Sequence, residues 1–181
     1  GQILLSKKED IEKVHTYQLK RLIETLVELG LKKDRIFPSY QKGGKVSVIT
    51  KGKFKFDYEI PEDKLTKNAF IESGIPKENL TSDQTRYTLL SLHINMPTPW
   101  GYRNEINYNI GTKENPKLLD IATLEYFIWL PIFKDKETQK NIIGLKSFSH
   151  TASIGAFGVE RLCVAVNGLK SVYEIEYLKE F

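Results

Sequence analysis

Two arginines stand out in a chain whose cations are mostly lysine: of 27 Lys and Arg, only Arg21, Arg35, Arg86, Arg103 and Arg161 are arginine. Arg161 lies in Gly155-Ala156-Phe157-Gly158-Val159-Glu160-Arg161-Leu162, where two glycines and a small residue open an amphipathic run. Such a run suits a phosphate. Glycine lets the backbone come close, a helix N-terminus offers free N–H groups, and a guanidinium adds charge and a two-pronged fork. Arg103 lies about fifty residues earlier, in Gly101-Tyr102-Arg103-Asn104-Glu105-Ile106. On a strand, side chains alternate, so Arg103 and Glu105 share one face and Tyr102, Asn104 and Ile106 the other. One face then carries a cation beside a carboxylate. Those two residues alone fit a cross-strand salt bridge on a wet sheet equally well. A second arginine in a glycine-rich segment tips the reading toward a planar anion, for which lysine is a poor substitute.

The elements that would position these residues follow from the hydrophobic pattern. Ser6 and Glu9 have capping-box spacing, and Ile11, Val14, Leu19, Leu22, Ile23, Leu26 and Leu29 recur with helical period until Gly30. A long amphipathic helix is expected there, with His15 packed near its apolar stripe or at its wet edge. From Lys45 to Ile60 the period changes to two around Lys51-Gly52, which predicts a β-hairpin. A short helix from Pro61 through Phe70 is expected to end at Gly74 and Pro76, with a polar loop from Lys77 to Gln84. Thr85–Ile94, Gly101–Ile110, Leu118–Leu130 and Asn141–Phe148 read as strands, the middle two pairing antiparallel. Met96-Pro97-Thr98-Pro99 forces extended backbone, and Gly158–Val166 reads as a helix stopped by Gly168. Consecutive strands between helices argue for an α+β fold, an antiparallel β-sheet flanked by helices, in one domain spanning 1–181. No Walker lysine follows a glycine loop and no Gly-x-Gly-x-x-Gly opens a βαβ unit, so the usual parallel-sheet nucleotide folds are excluded.

Composition narrows the class further. The net charge of +4 comes from dispersed lysine, with no basic stripe interleaved with aromatics of the kind that marks a nucleic-acid surface. A single cysteine, Cys163, excludes a disulfide scaffold and a multi-thiolate metal site. No run of eighteen apolar residues and no signal-like segment is present, so a soluble, cytoplasmic protein without membrane contact is expected.

An aromatic-Arg-x-Glu strand, a further strand and then Gly-x-x-Gly-x-Glu-Arg on a helix resemble the catalytic core of class II aminoacyl-tRNA synthetases. Tyr102-Arg103-Asn104-Glu105 is similar to their motif 2, and Gly155 to Leu162 to their motif 3. The resemblance implies a ligase that uses ATP and Mg²⁺ to activate an amino acid or small carboxylic acid as an acyl-adenylate. The acyl group would pass to a tRNA, a carrier-protein thiol or an amine. Arg103 would hold the α-phosphate and the activated carboxylate, and Arg161 the γ-phosphate of a bent ATP. Glu105 would lie near the adenine or the acceptor, with Gly155 and Gly158 seating the nucleotide against the backbone. Glu125 or Asp120 would help hold the metal, and Trp100 and His150 would line the substrate pocket. A homodimer is implied by the same analogy, although the dimer-forming motif 1 has only a partial echo in Gly30-Leu31 to Phe37-Pro38. Ala156 also stands where the family usually has glycine. A synthetase-like accessory or regulatory module that binds without catalysis is the alternative.

Overall fold

The computed structural model describes residues 1–50, 54–83, 88–91, 98–135, 137 and 140–179. Arg86, the Lys51-Gly52 turn, Met96-Pro97 and much of the expected 85–94 strand lie outside the described residues.

The fold is α+β. Among the described residues seven strands form the main sheet: β1 (Gln2–Lys7), β2 (Ile36–Gln41), β5 (Thr81–Asp83), β6 (Leu89–Ser91), β7 (Trp100–Asn109), β8 (Leu118–Asp135) and β9 (Lys140–Phe157). Their order is β1-β9-β8-β7-β2-β5, with β6 also on β7. Pairing is antiparallel except between β2 and β5, so the sheet is mixed rather than purely antiparallel. A separate hairpin, β3 (Gly44–Thr50) and β4 (Phe54–Ile60), pairs antiparallel as its alternation predicts. Three α-helices complete the described residues: α1 (Ile11–Glu28), α2 (Lys64–Glu72) and α3 (Val159–Asn167).

The helical period of the N-terminal third becomes the packing of α1. Leu19, Leu22, Ile23 and Leu26 fall on one stripe and are buried against Ile106, Ile121 and Leu124 of the sheet and Phe70 of α2. Burying each of these side chains contributes about 1.5–3 kcal/mol, so this stripe rather than intrinsic helix propensity holds α1 down. Gly30, at φ +95°, ends the helix, its N–H donating to the Val27 carbonyl at 2.9 Å. A second, smaller core joins the hairpin to the far end of the sheet, where Val46 and Ile60 meet Trp100, Tyr102, Tyr126 and Leu145.

Several expectations need correction. Ser6 does not cap α1: it belongs to β1, its hydroxyl lies 2.7 Å from Thr151 Oγ1, and the helix begins after Asp10 with no side-chain cap. A partner 145 residues away outcompetes the local capping interaction. The segment expected as a polar loop from Lys77 to Gln84 holds a 3₁₀ turn at Lys77–Asn79 and strand β5. Strand β9 runs nine residues beyond Phe148, so Gly155 and Ala156 lie inside a strand and only Gly158 stands at the start of α3.

Candidate functional site

The face of the sheet turned away from α1 and α2 carries the charged residues. Pairing register sets them in rows: Arg103, Glu125 and Ile154 in one, then Glu105, Thr123 and Ala156, then Asn107 and Asp120. Directly opposed residues in an antiparallel pair project to the same side, so these rows form one surface. Strand β7 shows the alternation plainly: Tyr102, Asn104 and Ile106 are buried, while Arg103, Glu105 and Asn107 are partly exposed. The Arg103 guanidinium reaches Glu105 Oε1 through Nη2 at 3.1 Å and lies 3.7 Å from Glu125 Oε1 through Nε.

Arg161 closes the other end of this surface. It stands in the first turn of α3 and folds back toward the start of β8, with Nε donating to the Asp120 carbonyl and Nη2 to Asp120 Oδ2 at 3.1 Å. Gly158 makes this course possible. A methyl group there would sit 2.7 Å from Arg161 Nη2 and 2.8 Å from Cζ, so the missing side chain is the space the guanidinium occupies. Gly158 is also held by its N–H, which donates to the Ile121 carbonyl at 2.9 Å. Asn107, the β7 partner of Asp120, stands four residues along the strand from Arg103. At the usual rise this places the Arg103 and Asp120 backbones roughly 13 Å apart along the strand direction.

The surface is electrostatically dense. Two guanidiniums face three carboxylates, Glu105, Glu125 and Asp120, and both arginines are engaged by acids of the chain itself. The pairing is incomplete. Arg103 Nε is a buried donor without a hydrogen bond, and Asp120 Oδ1 a buried acceptor without one. Orphaned buried polar atoms are uncommon in folded proteins; these two lie at the ends of the surface, while Gln18 Oε1, Asp63 Oδ2 and Asn104 Oδ1 are left without a hydrogen bond on its far side. Burial pushes the Glu125 carboxyl above its ordinary range, an effect that Arg103 partly opposes. Among the described residues no three His, Cys, Asp or Glu side chains gather closely enough to hold a metal on their own. One or two of these carboxylates together with phosphate oxygens would suffice for Mg²⁺, which rarely takes an all-protein cage.

Beneath this floor a buried polar network ties both helices to the sheet. His15 is fully buried, with Nδ1 2.8 Å from Ser153 Oγ of β9 and Nε2 3.0 Å from Thr66 Oγ1 of α2. Its ring lies 4.1 Å from that of Tyr126, and burial lowers its pKa to about 3, so it is neutral. Asp63 caps α2, accepting from Thr66 N at 3.1 Å and from the Tyr126 hydroxyl at 2.5 Å. Asn104 Nδ2 donates to Thr66 Oγ1 and to the Leu124 carbonyl, and so pins the strand that carries Arg103 and Glu105. His15 on the apolar stripe was visible in the sequence, but its partners come from α2 and β9, and nothing local announces them.

Other residues singled out by sequence stand apart from the charged surface. Gly155 faces the opposite side, where an added Cβ would lie 3.4 Å from Gln18 Nε2 and 3.5 Å from Leu22 Cδ1, so it makes room for α1. Trp100 is buried in the smaller core, opposite Trp129. His150 is exposed on β9 opposite Lys7, its Nδ1 3.1 Å from Ser149 Oγ, and four residues, roughly 13 Å of strand, from the Ile154 row. The partial echo of motif 1 falls on the turn after α1, the 3₁₀ turn Lys33–Arg35 and the start of β2, whose Ile36, Phe37 and Pro38 pair with β7. Sequence reasoning did not find Asn107 and Thr123 of the charged rows, since neutral side chains on a strand carry no signal of their own. No helix among the described residues is long and apolar enough to cross a membrane. No family model matches the chain, and no curated protein matches it.

Proposed function

We propose that the charged face of the sheet binds ATP with Mg²⁺ and joins it to the carboxylate of an amino acid or related acid, forming an acyl-adenylate. The observation that carries this reading is the placement, on one surface, of two arginines that each leave a buried polar atom unmatched: Nε on Arg103 and Oδ1 on the Asp120 that holds Arg161. Arg103 would bridge the incoming carboxylate and the α-phosphate, its Nε–H supplying the donor that lacks an acceptor. Arg161 would hold the terminal phosphate, moving from Asp120 to do so. Mg²⁺, when bound through Asp120 or Glu125 and the phosphates, supplies further neutralisation of charge. In the reaction a carboxylate oxygen attacks the α-phosphorus, the bond to the bridging oxygen breaks, and pyrophosphate leaves with the electron pair. Fixed guanidiniums lower the barrier by meeting charge as it develops and by holding the reactants in line. The acyl group then passes to a tRNA, a carrier thiol or an amine.

Three carboxylates against two guanidiniums repel a bare triphosphate, so binding should require the metal. That same excess of acid favours one other reading, a synthetase-like module that keeps the scaffold and binds a ligand without turnover. Pyrophosphate exchange into ATP, tested with each common amino acid, separates the two. The reading expects exchange with one acid and a loss of about 10²–10³-fold in Arg103→Ala and Arg161→Ala, the range for removing a transition-state donor. Circular dichroism should be unchanged in Arg161→Ala, since an exposed ion pair contributes only about 0.2–1 kcal/mol. Exchange that survives either substitution rejects the assignment. Absence of exchange together with Arg161-dependent Mg-ATP binding selects the module.

A further inference from the structure

The polar network beneath the sheet is one hydrogen short. Asp63 is 1% exposed, and both donors that reach it converge on one oxygen: Thr66 N at 3.1 Å and the Tyr126 hydroxyl at 2.5 Å meet Oδ1. Oδ2 is buried and has no hydrogen-bond partner. Asn104, fully buried on β7, shows the same lack. Its Nδ2 spends both hydrogens, on Thr66 Oγ1 at 3.3 Å and on the Leu124 carbonyl at 3.2 Å, and its Oδ1 is an acceptor without a donor. The Asn104 side chain lies within hydrogen-bonding reach of the Asp63 carboxyl. With both Nδ2 hydrogens committed, Oδ1 is the atom left to meet that carboxyl. Bare acceptors in a dry cluster carry an unmet desolvation cost, and a single hydrogen between these two removes both.

We propose that Asp63 is held as a neutral carboxylic acid whose Oδ2–H donates to Asn104 Oδ1, fastening the start of α2 to β7 between Arg103 and Glu105. The pattern of donors is that of an acid rather than a carboxylate. Oδ1 accepts twice, as the carbonyl oxygen of an acid does, while Oδ2 draws no N–H or O–H from the chain, as befits a hydroxyl that donates. The surrounding charges agree. The titratable groups packed around the cluster are His15 of α1, Tyr126 of β8 and Tyr102 of β7; burial keeps His15 neutral and raises the pKa of both tyrosines, so none carries a charge near neutral pH. On the helix itself Lys64 is exposed and Lys67 is paired with Glu62 at 2.7 Å. Burial without a cation favours the uncharged form and raises the Asp63 pKa. Asp63 is thereby a positioning residue: it stands on the opposite side of the sheet from Arg103, and its bond to Asn104 sets the strand segment that presents Arg103 and Glu105. The inference is independent of what those two residues bind.

Infrared difference spectroscopy of the 181-residue chain against Asp63→Asn tests the proton directly. Near neutral pH the wild type should show the carbonyl stretch of a protonated carboxylic acid that the variant lacks; any such band from Glu125 is common to both and cancels. Asn104→Val, which removes the acceptor and keeps a strand-forming side chain, should move the band to higher frequency. Urea unfolding gives a second readout. An acid protonated in the folded chain and ionised in the unfolded one makes the wild type lose stability as pH rises above the ordinary carboxyl value of 3.8. Between about pH 5 and pH 7 the unfolding constant of the wild type should therefore rise about tenfold per pH unit relative to that of Asp63→Asn, the His15 contribution being common to both. No band lost in Asp63→Asn, or equal pH slopes in the two proteins, means that Asp63 is ionised and overturns the proposal. A band that Asn104→Val leaves in place gives the proton a different partner and overturns it too. The first two readouts need no change at Asn104, so a poorly folding Asn104→Val does not shield the proposal.

Discussion

Acidification should weaken this fold through His15. The imidazole is fully buried, accepts or donates only to the hydroxyls of Ser153 and Thr66, and has its pKa lowered to about 3 from the ordinary 6.5 by burial. The folded state therefore resists a proton that the unfolded chain accepts. The contribution to stability is complete above pH 6.5 and is lost as pH falls toward about 3, at up to ~1.4 kcal/mol per pH unit. Between about pH 8 and pH 5 the loss is about 2 kcal/mol, a sizeable part of the roughly 5–15 kcal/mol that holds a domain folded. Asp63 acts in the opposite sense. Burial raises its pKa, so its contribution is present in acid and is lost as pH rises through the folded value. Comparing the wild type with His15→Gln removes that complication. The variant leaves one hydroxyl without a partner and should be about 1–3 kcal/mol less stable near neutrality. Its urea-unfolding free energy should then fall by about 2 kcal/mol less over the same pH interval, so that the two proteins converge in acid. Equal pH slopes in the two proteins would show that His15 is not held neutral and that the network is drawn wrongly.

Other substitutions test the remaining geometry. Gly158→Ala should evict the Arg161 guanidinium from its course to Asp120 while leaving the backbone, at φ −80°, unstrained; because Arg161 leaves Asp120 when it takes the terminal phosphate, Mg-ATP affinity should not fall, and stability should change by under ~1 kcal/mol. Gly101→Ala should destabilise by about 3 kcal/mol or more, seen as a large drop in melting temperature, because its methyl overlaps the Tyr126 carbonyl across β7 and β8. Asp63→Asn should stay within about 1 kcal/mol of wild type at neutral pH, since asparagine also caps helices and no carboxylate is then buried, whereas Asp63→Ala should cost about 1–3 kcal/mol by stranding Thr66 N and the Tyr126 hydroxyl.

Periodic features were legible in the sequence. The α1 stripe, the β3–β4 hairpin, the antiparallel pairing of β7 with β8 and the split of Arg103 and Glu105 from their neighbours all follow from a repeat of about 3.6 or 2. Features set by distant partners were not. Gln2–Lys7 looks like the lead into a helix, and Ser6 with Glu9 mimics a cap, because the strand β9 that claims β1 is far along the chain. Thr81–Asp83 is too short and polar to show a period, yet β2 takes it up in parallel. Gly155 reads as part of a phosphate loop by type and spacing; its role is set by α1, whose Gln18 and Leu22 occupy the space beside it. Of the candidate site, the two arginines and Glu105 could be chosen from type and spacing. That Arg161 reaches back to Asp120 across an empty Gly158, and that Arg103 keeps a buried N–H unmatched, are facts of packing alone.

The central claim is that Arg103 and Arg161 serve one ligand. A crystal structure of the protein with Mg²⁺ and a non-hydrolysable ATP analogue tests it most directly. The account predicts a bent triphosphate on the charged face, with the α-phosphate against the Arg103 guanidinium and the terminal phosphate against Arg161, freed from Asp120. A nucleotide bound away from β7 and β8, or one touching a single arginine while the other keeps its carboxylate partners, would contradict it.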